Sequence, residues 1–109
     1  MRKLKFIVED QIIKPDPNCD FNNLVPGTED YLCLAFSFSK EWAGYTKVVE
    51  FKSMMGKEYN PQVIDGSYIC IVPKEAAMRR SFKIRVLGKN EDSKLATNRI
   101  TIKQDGGVV

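Results

Sequence analysis

Apolar side chains recur at every second residue through much of this chain. In "YLCLAFSF", residues 31 to 38, Leu32, Leu34, Phe36 and Phe38 share one parity and Tyr31, Cys33, Ala35 and Ser37 the other. That two-residue period belongs to a β-strand with one core face and one lighter face. "SFKIRV" repeats it with Phe82, Ile84 and Val86 inward, and "NRITIK" with Ile100 and Ile102, so these three strands are expected to face one core. Further strands are expected over Leu4 to Val8, Thr46 to Lys52, Glu58 to Ile64 and Tyr68 to Val72.

Turn residues separate these runs: Pro15 to Asn18, Gly44, Met55 and Gly56, Asp65 and Gly66, and Gly88 to Asn90. The Asp65–Gly66 pair predicts a hairpin joining "EYNPQVI" to "SYICIV" through a type I′ turn. Helical patterning is confined to "PKEAAMRR" from Pro73, which supports at most about two turns. The segment from Asp16 to Asp30 has no alternation and is expected to be a long loop of the kind that meets partners. About six or seven short strands with at most one helical turn predict an all-β fold, an antiparallel immunoglobulin-like β-sandwich or a small barrel. At 109 residues and 43% hydrophobic, residues 1–109 are expected to form one domain with its own core.

The charge is +3, from 17 Lys and Arg against 14 Asp and Glu interspersed along the sequence. Such a balance does not diagnose a nucleic-acid binder. Histidine is absent, which removes imidazole acid–base, nucleophilic and ligand chemistry. Cys19, Cys33 and Cys70 are an odd number with no CxxC spacing, so they are expected as reduced thiols, two of them buried in strands, with no metal site and no cofactor. The apolar run near the start, Phe6 to Val8, ends at Glu9, far short of the roughly 7 to 15 residues of a signal core or the about 20 of a membrane span. A soluble protein made in the cytoplasm, with no membrane partner, is the expectation.

Trp42, the only tryptophan, lies in "SKEWAGYTK" between two strands. It is expected to close one end of the core, its indole nitrogen donating to a carbonyl, with Gly44 turning the chain just after it. An exposed aromatic anchor for a partner or sugar is the competing role. The neighbouring acids Glu29–Asp30 and Glu91–Asp92 alternate in direction on polar loops, Tyr45, Tyr59 and Tyr68 read as strand-face residues, and "QDGGVV" lacks the following helix of a phosphate loop. No catalytic residues are assigned and no enzyme is expected.

The order "FSFSKEWAGYTKVVEFKS", "CIVPKEA", "FKIRVLG" and "LATNRITIK" resembles a small β module of bacteriophages, the amino-terminal domain of baseplate upper proteins and of related tail and head-fibre proteins. The matching positions are Phe36, Phe38, Ser39, Trp42, Gly44, Lys47, Phe51, Pro73, Val86, Thr97, Asn98 and Ile102, within residues 31 to 103. The family's acidic residue between tryptophan and glycine is Ala43 here, and longer relatives continue into a stalk where this sequence reads "QDGGVV". The resemblance implies a non-enzymatic virion protein, made in the bacterial cytoplasm and assembled in multiple copies with other phage structural proteins of the baseplate, tail or head. The alternative is a free-standing phage inhibitor of a host defence protein such as a CRISPR effector. Interface candidates are Met54 and Met55 at a turn, with adaptable thioether side chains, and Asn22 and Asn23 in the long loop.

Overall fold

A computed structural model describes residues Met1 to Asp105 as two facing β-sheets. The first sheet has the order β2-β1-β3-β6, from β1 (Arg2–Glu9), β2 (Ile12–Pro15), β3 (Leu32–Phe38) and β6 (Ile69–Ile71). The second runs β5-β4-β7-β8, from β5 (Gln62–Ile64), β4 (Thr46–Ser53), β7 (Ser81–Lys89) and β8 (Lys94–Ala96). The last strand, β9 (Ile100–Lys103), pairs with the first half of β7 where β8 pairs with the second.

The alternation sets the register. Leu4, Phe6 and Val8 of β1 lie beside Leu34, Phe36 and Phe38 of β3. In the other sheet Val49 lies opposite Val86, Phe51 opposite Ile84, and Ile84 opposite Ile100. These inward side chains form the core between the sheets. The all-β sandwich is as the sequence predicts, but the described residues form nine strands rather than six or seven, β2 and β8 being unexpected and Gly88 lying inside β7. Three further differences concern pairing, turns and helix.

First, β1 and β3 run parallel. A parallel neighbour cannot follow a tight turn, because the chain must return to the same end before pairing, which takes a dozen or more residues. The loop after β2 supplies that return. It is built into the structure: the Arg2 guanidinium donates to the carbonyls of Asp20, Asn22 and Asn23 at 3.0, 2.5 and 3.1 Å, Leu24 is buried, and the Phe21 ring meets Phe6 edge-on at 5.4 Å.

Second, Asp65–Gly66 does not close a hairpin. β5 pairs with β4 and β6 with β3, so the turn carries the chain from one sheet to the other. Asp65 builds it by accepting the Ser67 N–H on its side chain at 2.8 Å and the Tyr68 N–H on its carbonyl at 3.0 Å.

Third, there are two helical turns. α1 (Lys74–Ala77) follows Pro73 as expected, and a 3-10 turn, Lys40–Trp42, precedes Gly44. That 3-10 turn drops Trp42 into the open end of the sandwich. Its side chain has no exposed surface, and its Nε1 donates to the Asp10 carbonyl at 2.6 Å.

The side of the sandwich between β2 and β8 is closed by Thr97 and Asn98. Thr97 bonds Val86 through both its backbone N–H and its hydroxyl, each at 3.0 Å. The Asn98 side chain then accepts the Ile13 N–H at 2.8 Å, completing the edge of β2 as a neighbouring strand would.

Candidate functional site

The outer face of the second sheet is concave and forms a groove of about 1100 Å³. Its composition follows from strand register, since residues opposite one another project to the same side. Across the middle of the face run Val63, Val48, Leu87 and Ala96, each directly opposite the next, and the last three line the groove. On one side of this apolar row lie Thr46, Lys89 and Lys94, and on the other Glu50 and Arg85, joined by Arg99. Beyond these come Lys52, Lys83 and Thr101.

Glu50 is the best-fixed charge of the face. Arg85 donates from Nε to Oε1 at 3.0 Å and from Nη2 to Oε2 at 3.3 Å, while Arg99 Nη2 reaches Oε1 at 3.0 Å. Partial burial pushes the carboxyl upward, but the two guanidiniums outweigh it and hold Glu50 below its ordinary range. It is an anchored anion, which suits positioning of the two arginines rather than proton transfer. The upper rim is held by Asn90, whose Oδ1 accepts the N–H groups of Asp92 and Ser93 at 2.9 and 2.8 Å, and by a hydrogen bond between the Tyr45 and Ser93 hydroxyls. Tyr59, 8% exposed, borders the groove, and its hydroxyl has no hydrogen-bond partner among the described residues.

The four interface candidates lie elsewhere. Met54 and Met55 occupy the turn after β4, Met55 being 96% exposed, and Asn22 and Asn23 sit in the loop clasped by Arg2. Both belong to the end of the sandwich opposite Trp42, since β4 ends and β1 begins there, and neither lines the groove. Met78, half exposed after α1, shares that end. Glu29, Asp30, Glu91 and Asp92 are exposed on loops, with Glu91 at the groove rim. Cys33 and Cys70 are buried, Cys19 is half-buried, and all three are free. No group of three or more His, Cys, Asp or Glu among the described residues could hold a metal ion, and no helix among them is long and apolar enough to cross a membrane. Gly106 and Gly107 of "QDGGVV" lie outside the described residues.

Sequence reasoning missed the groove because its residues come from four separated segments. The signal was present in the outward parity of the same strands whose inward parity gave the core. No family model, curated protein or solved structure matches this chain.

Proposed function

We propose that this chain is a non-enzymatic assembly module that acts through protein–protein contact in a bacteriophage particle, at the baseplate, tail or head. The observation that carries the contact role is the groove on the second sheet, an apolar row bordered on both sides by charged rows. Interfaces combine an apolar centre with a polar rim in this way. The carboxylate nearest its floor, Glu50, is committed to two arginines, and so supports a positioning role. The phage setting rests on the sequence resemblance, whose motif has a structural rationale here: Ser39 accepts the Asp10 N–H, Trp42 closes one end, and Thr97 with Asn98 closes one side. Its partners are then other phage structural proteins, met in multiple copies.

Antibodies to the protein test this directly. They are expected to label purified virions in many copies. Virions that lack the protein, together with a host protein co-purifying at a fixed ratio from infected cells, would overturn the particle role and establish the inhibitor role instead.

A further inference from the structure

Charges that alternate in sign along the sequence are sorted by the fold. Of the 14 Asp and Glu, only Glu9 and Glu50 lie within strands, whereas eleven of the 17 Lys and Arg do. Acids therefore lie mostly in the connecting segments and cations mostly in the strands. The outer face of the second sheet receives the largest share. Lys89 and Lys94 lie on one side of its apolar row, and Arg85 and Arg99 on the other. Lys52, Lys83 and Lys103 extend the second flank toward the far end. Against these seven cations stand three acids: Glu50, the exposed Glu58, which reaches Lys52 only at 3.8 Å, and the exposed Glu91 at the groove rim.

Two of the juxtapositions cost stability. Lys52 is directly opposite Lys83, and Lys89 directly opposite Lys94, on the same face of antiparallel pairs. Like charges placed so destabilise a sheet. Both pairs lie on the outer face of one sheet, the second of them lining the groove, where a partner's carboxylates would neutralise them.

We propose that this face docks an acidic protein segment, apolar at its centre and bearing carboxylates on both flanks. The inference rests on the protein-contact role above and specifies the face and the chemistry of the partner. The spacing supports it: from Lys83 to Lys89 along β7 is about 20 Å, the span of about six extended residues. The apolar row interrupts the cations in the middle of that span. A phosphate backbone would want cations throughout, and unpaired bases would want aromatic rings to stack on, which the Val63, Val48, Leu87 and Ala96 row does not offer. A second copy of the same face is disfavoured, because it would set cations against cations.

The test uses the full-length, isotope-labelled protein at near-physiological salt and follows its amide resonances. Three probes are added in turn: a peptide with a leucine–valine centre flanked by glutamates, a poly-glutamate peptide of equal length, and a DNA duplex. The first is expected to shift β4, β7 and β8 residues of the outer face and to bind about tenfold more tightly than the other two. Lys83→Glu and Lys89→Glu are each expected to weaken that binding about tenfold while raising the thermal midpoint, because each turns a like-charge pair into an opposite one. Lys3→Glu on the other sheet should change neither. Tighter binding of the duplex at the same residues would make the face a nucleic-acid interface and overturn the proposal. So would a peptide that leaves the face unperturbed, or substitutions that lower stability without affecting binding. Virion labelling decides the particle role independently, so either reading can fail while the other stands.

Discussion

A methyl group at Gly88 would lie 2.8 Å from Cζ3 of Trp42 and 3.1 Å from Cε3. The tryptophan cannot yield, because its ring is fully enclosed, 5.5 Å from the Phe38 ring and 6.3 Å from Tyr45, with its nitrogen held by Asp10. Gly88 is thus a strand residue of β7 kept bare to seat the indole.

Two substitutions follow from this contact. Trp42→Ala should cost about 3–5 kcal/mol, as large aromatic deletions in cores do. Gly88→Ala should cost about 1–3 kcal/mol by overpacking. Urea unfolding measures both. Native tryptophan emission should be blue-shifted and resist iodide, and a water-like emission maximum in the unmodified protein would contradict the enclosed geometry.

Asn98 closes the free edge of β2 with its side chain, at 2.8 Å from the Ile13 nitrogen. Asn98→Ala leaves that N–H without its acceptor and should cost about 1–3 kcal/mol. Hydrogen exchange gives the sharper readout, since the Ile13 amide should lose protection. Asn98→Asp keeps an acceptor oxygen and should retain most of that protection.

The cysteines should report their burial chemically. Cys70 is pushed up from 9.0 to about 12, first by burial and then by the proximity of Cys33 and Asp65, and Cys33 is raised mainly by burial. Both are neutral thiols at neutral pH and poor nucleophiles. A thiol reagent at neutral pH should label Cys19 first, and all three only after unfolding without reductant. Recovery of a single thiol from unfolded protein would reveal a disulfide and overturn the free-thiol assignment.

Much of the fold was legible because the inward parity of β3, β7 and β9 is strongly apolar and period two admits one structure. What was not legible depends on pairing between distant segments. Asp65 and Gly66 have the chemistry of a hairpin turn, but β5 and β6 have three residues each and take their partners from different sheets. Gly88 has the chemistry of a turn, yet its role is set by an indole 46 positions earlier in the chain. The cationic face is not legible along the chain because Lys83, Arg85, Lys89, Lys94, Arg99 and Lys103 are spaced by other residues, the acids Glu91 and Asp92 among them, and come together only when β7, β8 and β9 align.

Glu50 gives the pH dependence its sign. Its folded carboxyl titrates below the ordinary glutamate value of about 4.3, because Arg85 and Arg99 outweigh the effect of burial. A depressed carboxylate contributes stability that is fully present above the unfolded value and is lost as pH falls through the lower folded one. Stability should therefore hold from neutral pH down to about 5 and decline below about 4. Glu50→Gln should remove part of that decline, because the amide does not titrate. At neutral pH the same variant should be less stable, since Arg85 and Arg99 then face each other with no anion between them. Unfolding by urea across this range compares the two proteins, and parallel pH profiles would show that the Arg85–Glu50–Arg99 group contributes nothing to acid sensitivity.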